Sequence, residues 1–452
     1  MSAEDLLSLK KRGDFSERGL KKIGGFVNKG FKRGSIEPNY QQIIRDANKL
    51  FDTHIEEFTT TVKGKSYSVI HVRDLSEYLL EVCRVRKVDP QEQLFRISID
   101  KGKGFNKFSV SIVDDNDNER SGNKTSGVNK MHLFAITVCD ESHELFDIVL
   151  VKVNFYDCQF VFVADLKVIM LLLGLMTCAS SWPCYACEIH KDSLEEEGEL
   201  RTVRSLVENH EKYRQNLLEA RPKPPKDPEF KGSHKRPLLI REGETDEDLL
   251  SQTILSIISP PSLHLMLGIV GDVQALLLSV WPGAIEWSNS LNVWPDEGGP
   301  RNKYRGNDRN ILLKNVDALE MLAVLENKLE VIQPIVHFYR SFSKVKAACF
   351  SHDLDPDYIQ ILDDYWTNLI QLNRTFGLSI TPKMHGSYFH VKKCCRINQI
   401  GLGKHTEGPH ESIHTLVDKV WSKRKVRVSN PRFPEAVRQM VVYINSNAEV
   451  DS

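Results

Sequence analysis

Residues 160–187 constrain this chain more than any other stretch. An apolar run with strand character, Phe160 to Ala164, gives way at Asp165 to an apolar run with helix character, Val168 to Met176, and a Cys-x-x-Cys pair, Cys184 and Cys187, follows. Leaving a carboxylate without a partner where a core strand ends costs several kcal/mol. A cation, a hydrogen-bond network or a metal is therefore expected beside Asp165.

The segments before this stretch change period twice. Residues 1–37 carry nine Lys and Arg against five acids, with many glycines and few apolar residues, and read as a basic flexible arm. Tyr40 to Phe58 and Val72 to Cys83 read as helices, the latter with Leu75, Tyr78, Leu79 and Val82 at helical spacing, so 38–90 is expected to be a helical lead-in. From Leu94 the period becomes that of strands: 94–100, ending on Asp100, then 108–113 and 131–138, joined by a Gly turn and a polar loop. A short helical segment, 141–153, then leads to the strand before Asp165. Such an order, β-β-β-α-β-α, brings the fourth strand beside and parallel to the first by a right-handed crossover. Asp100 and Asp165 are then expected at neighbouring strand ends of an α/β mixed sheet, in a core spanning 91–187.

Beyond Cys187 the texture changes. Residues 188–250 hold acidic runs and a Pro and Lys segment at 221–228, and read as a charged insert or linker. Residues 251–375 read as a helical insertion, with helices after Pro260-Pro261, over 311–329, 331–350 and 356–376. The C-terminal segment, 376–445, holds His385 and His390, a Gly-Leu-Gly break and a helical run bearing Glu411, before a tail at 446–452.

Composition excludes some function classes. The net charge of −1 gives no global pull toward nucleic acid or membrane, but ten Lys and Arg against three acids between Lys383 and Arg427 make a local basic surface. Nine scattered cysteines are unlike a secreted disulfide framework and point to a reducing, intracellular compartment. The N-terminus has no apolar signal-peptide core, and Val168 to Met176 is too short to span a membrane.

Two constellations carry chemistry. Asp100 and Asp165, side by side, repel unless one is protonated or a divalent cation sits between them, and paired metals on carboxylates suit phosphodiester cleavage. The plainer alternative is a turn residue at Asp100 and a helix cap at Asp165. Glu411 is a third candidate acid, with Glu407 its rival. The second constellation is Cys184 and Cys187 with His385 and His390, a zinc set from two distant segments. Five residues of ideal helix leave the two histidines about 140° apart, so they must straddle a helix end or bend, unless Cys394 or Cys395 replaces one. Trp-Pro-Cys-Tyr-Ala-Cys also raises a thiol oxidoreductase, which needs a strand before the motif and a helix after it. His264 reads as a core histidine, and Trp281, Trp287 and Trp294 as packing or a recognition surface.

The ordered set Ile-Ser-Ile-Asp100, Val-Ala-Asp165-Leu-Lys, Cys184-x-x-Cys187, Leu-His264, His385-x4-His390 and Glu411-Ser412 resembles the catalytic core of the V(D)J recombinase and the Transib-type transposases, and related transposon-derived reading frames, over roughly residues 65–430. The resemblance implies an RNase H-like fold with a large helical insertion and a C-terminal helical segment returning to the sheet. It implies DNA as substrate, strand cleavage and transfer with Mg2+ or Mn2+ on Asp100, Asp165 and Glu411, and Zn2+ on Cys184, Cys187, His385 and His390. A nuclear location follows, with a homodimer as an assembly state it allows and no membrane or small-molecule substrate. Lys101 and Lys103 beside the first acid, and the lack of an evident sequence-specific DNA-binding domain, depart from the pattern. They keep a second reading open, a domesticated or decayed copy that binds DNA without cutting it.

Overall fold

The computed structural model describes residues 49–113, 130–157, 160–219, 230–293, 306–406, 408–424 and 426–449. The basic arm, the polar loop after 113, the Pro and Lys segment, Trp294 and Glu407 lie outside these residues. The chain forms two compact units, 1–160 with 409–452, and 161–408. It is an α/β protein with a mixed sheet of six strands in the order β1-β2-β5-β4-β3-β6, where β1 is Ile55–Val62, β2 Lys65–Val72, β3 Leu94–Gly102, β4 Phe105–Val113, β5 His132–Thr137 and β6 Phe160–Phe162.

In the first unit, β3, β4 and β5 form the expected antiparallel meander. Alternation explains it: Ile97, Ile99, Phe108 and Val110 are fully buried, each worth about 1.5–3 kcal/mol over exposure. The β3–β4 turn is Lys103-Gly104, both at positive φ (54° and 82°), the two-residue geometry whose twist matches the flanking strands. Lys63-Gly64 (50° and 75°) closes β1 onto β2 in the same way.

That hairpin corrects the helical lead-in. Helix ends at Asp52, and Ile55–Val62, which takes in the end of the segment read as helix from Tyr40, is strand. The physical reason is the β-branched run Thr59-Thr60-Thr61-Val62 before a Lys-Gly turn. The second helix of the lead-in is present as Leu75–Arg86, capped by Asp74, whose side chain accepts from Glu77 N at 2.9 Å. The helix before β6 is His143–Lys152.

Helices Gly408–Trp421 and Phe433–Glu449 also belong to the first unit. Asn445 fastens the latter to the sheet: buried, it accepts from Leu133 N at 2.8 Å and donates to Leu133 O at 2.9 Å. The C-terminal segment thus returns to the sheet, and residues 446–449 extend its last helix rather than forming a tail.

The second unit begins with the end of β6 and the helix Leu166–Leu172, then a small hairpin of β7, Cys187–Glu188, and β8, Glu199–Leu200. The charged insert holds a helix, Val203–Glu219, and the helices expected after it are there as Ser262–Val280, Leu329–Cys349 and Tyr358–Phe376, while the one expected over 311–329 is broken into Gly306–Lys314 and Val316–Leu325. The apolar faces of the helices from Ser262 onward form one core with Trp281 and Trp287 inside it. Trp287 Nε1 donates to Asn315 O at 3.0 Å, so both ends of that ring are used in packing. Ser262–Val280 is long and apolar enough to cross a membrane; Leu265, Ile269, Val273 and Leu277 of this helix are buried in the same core. His264, on the same helix, is half-buried.

Candidate metal centre

Cys184, Cys187, His385 and His390 converge in the second unit. Their ligand atoms all lie within 4.8 Å of one another and all four residues are buried. Cys184 Sγ is 3.0 Å from His390 Nε2, and Cys187 Sγ is 3.3 Å from His385 Nε2. A tetrahedral zinc with its usual bond lengths has ligand–ligand edges of about 3.3–3.8 Å. Two thiols and two imidazoles gathered this closely, with their shortest separations near those edges, could therefore hold a metal such as zinc.

The two halves are presented by different local structures. Cys184 precedes the hairpin and Cys187 opens β7, held against β8. The histidines lie on a continuous helical segment whose middle turn is irregular: Pro382–His385 is α-helical, Gly386–His390 is a π turn, and Val391–Asn398 is α-helical again. The expected bend is this turn, because i→i+5 pairing returns residues five apart to one face. Cys394 and Cys395 are buried on the next helix, in the apolar core, and neither belongs to the quartet.

A supporting shell surrounds the four. His385 Nδ1 donates to Leu194 O at 3.0 Å, which fixes the tautomer that turns Nε2 toward the sulfurs. Arg201, wholly buried, donates to Cys184 O at 3.2 Å and to Lys231 O at 2.7 Å and lies 3.8 Å from Glu188. Its charge also favours thiolate at Cys187. A Cβ on Gly198 would lie 2.8 Å from Cys187 Sγ, so only glycine lets β8 approach the sulfur. Ser387, inside the π turn, is held by Tyr365 at 2.7 Å and by donation to Met384 O at 2.7 Å.

The sulfurs are not equivalent. At Cys184 burial opposes the thiolate, but the Cys187 thiol and the two imidazoles outweigh it and bring its pKa well below the ordinary thiol value. Cys187, which donates to Cys184 and is itself buried, is pushed up. Neither cysteine opens a helix, so the helix-dipole activation a thiol oxidoreductase needs is missing here.

The acids belong to the two units separately. Asp165 caps the helix Leu166–Leu172, its Oδ1 accepting from Val168 N at 2.7 Å. Asp100 sits near the end of β3, opposite Lys107, with its side chain 20% exposed. Lys107 is buried and donates to Gly102 O at 2.6 Å and Phe105 O at 2.9 Å, bracing the turn. Glu411 lies on the helix Gly408–Trp421, but its side chain, like all of Glu407, is outside the described residues. Among the described residues the Cys/His quartet is the one close group of three or more potential metal ligands.

One residue escaped the sequence reading. His414, three positions after Glu411, hydrogen-bonds through Nε2 to Asp100 Oδ2. One turn earlier His410 Nδ1 meets Ser109 Oγ of β4 at 2.7 Å. The signal was the i, i+4 spacing of His410 and His414 on one helix face. Several Lys of the basic C-terminal run are paired, Lys392 with Asp363 at 2.6 Å and Lys393 with Glu197 at 2.9 Å, whereas Lys419, Lys423 and Arg427 are exposed. Comparison with protein-family models and with curated proteins found no match.

Proposed function

We propose that the chain is a DDE transposase-like protein that binds DNA and, with divalent metal, cleaves and joins phosphodiester bonds. The observation that carries this reading is the convergence of Cys184 with His390, 206 positions apart, and of Cys187 with His385. The resemblance named those four residues as one zinc site. The strand order supports it as well: within β5-β4-β3-β6 the fourth strand of the expected core lies next to the first.

On this reading Asp100, Asp165 and Glu411 would hold Mg2+ or Mn2+, which supplies an activated water or hydroxyl and charge stabilisation at the leaving oxygen. Zinc at the quartet ties the chain after Asp165 to the C-terminal helices of its unit. Lys419, Lys423 and Arg427 would meet DNA phosphates, giving salt-dependent binding. The nucleus is the compartment that such a substrate implies, and a homodimer the assembly that two DNA ends call for.

The test is nicking of supercoiled DNA by the zinc-replete full chain with Mn2+ or Mg2+. Metal-dependent nicks that disappear in Asp100→Asn and Asp165→Asn support the enzyme. A specific observation favours a second reading: Asp100 is engaged by His414, and Asp165 by a helix N-terminus. A protein that keeps the braced fold but only binds DNA would give salt-dependent binding without nicks in the same assay.

A further inference from the structure

The pairing of His414 with Asp100 is built rather than incidental. Gly102, two residues beyond Asp100, carries no side chain where a Cβ would lie 2.7 Å from the His414 ring, so the strand leaves room for an imidazole at this point. The helix that carries His414 is registered on the sheet by the buried His410–Ser109 hydrogen bond, and Ile413 and Val417 are buried on the same helix. Side chains of both partners keep some access to solvent, 15% for His414 and 20% for Asp100, so an ion can reach them.

We infer that His414 is a metal ligand alongside Asp100, making this an oxygen-and-nitrogen site selective for a first-row transition ion, Mn2+ rather than Mg2+. The inference rests on the function proposed above and sharpens it. Magnesium binds oxygen donors and keeps its waters, whereas an imidazole gains affinity along the first-row series that starts at manganese. His414 Nε2 already faces Asp100 Oδ2, so a metal entering between them would exchange a hydrogen bond for two ligand bonds as the ring and the carboxylate move apart.

The experiment loads the zinc-replete full chain with Mn2+ and records electron spin echo envelope modulation, which detects a coordinated imidazole nitrogen. Nitrogen coupling is expected in the unaltered protein. It should vanish in His414→Gln, with Mn2+ binding weakened about ten-fold or more and Mg2+ binding little changed. Gly102→Ala, which keeps the imidazole but crowds its ring, should also lose the coupling, and Asp100→Asn should lose the ion. Zinc content and melting temperature confirm that each variant is folded. Bound Mn2+ without nitrogen coupling, or Mn2+ binding in His414→Gln that is unchanged or tighter, overturns the inference while metal-dependent nicking still stands for the enzyme. Failure of a folded protein to bind Mn2+ at all removes both.

Discussion

His385 and His390 are five positions apart, yet their rings lie 4.8 Å apart, centroid to centroid, at 72° to one another. In an α-helix that spacing would turn them about 140° from a common face. The π turn between them removes the discrepancy, and Thr381, whose hydroxyl accepts from Met384 N at 3.3 Å, caps the helix that leads into it. Such turns recur at functional sites, where the poorer hydrogen-bond geometry is offset by what the side chains then reach.

The first expectation is metal content. Purified chain should carry one zinc per molecule by elemental analysis, and Cys187→Ser or His385→Asn should lose it. Because zinc binding is also folding free energy in its unit, either change should cost more than about 4 kcal/mol in a denaturant titration.

Gly198→Ala tests the approach of β8 to the cluster. The added Cβ would sit 2.8 Å from Cys187 Sγ and 3.0 Å from Ile189 Cβ, and neither neighbour is the end of a flexible chain. Competition with a chromophoric chelator should show zinc affinity reduced about ten-fold.

Asp165 separates capping from chemistry. Asp165→Ala removes the acceptor for Val168 N and should cost about 1 kcal/mol, whereas asparagine caps nearly as well and should leave stability unchanged. If Asp165 also holds a metal, both variants lose nicking; a fully active Asp165→Asn would leave the residue a cap alone.

His410 makes stability depend on pH. Burial, and then the nearby Arg96 charge, hold its pKa well below the usual histidine value, so the folded ring stays neutral. Below about pH 6.5 the unfolded chain takes up a proton that the folded chain refuses, and stability falls as pH drops. Urea midpoints between about pH 5 and 7.5 should therefore rise and level off. His410→Gln should flatten that rise, at a cost of about 1 kcal/mol for the altered bond to Ser109.

The Cys/His quartet was legible because Cys-x-x-Cys and His-x4-His are local patterns that survive any arrangement of the chain between them. The meander was legible from alternation, and Asp165 as a junction residue from the change of period around it. The β1–β2 hairpin was not, because Ile55–Val62 mixes acids, threonines and a phenylalanine whose helical and strand readings compete until the Lys63-Gly64 turn is weighed. His414 escaped because its i, i+4 spacing with His410 marks a helix face but not the partner of that face, Asp100, which lies 314 positions away.

Cys187 and His385 meet across 198 positions, so the chain between them leaves one anchored point and comes back to it. Once both ends of such a loop are pinned, doubling its contents adds only about 0.6 kcal/mol of closure entropy. Evolution, or an engineer, can therefore lengthen, trim or exchange what the loop carries with little penalty from chain connectivity, as a clasp stays shut whatever hangs on the chain.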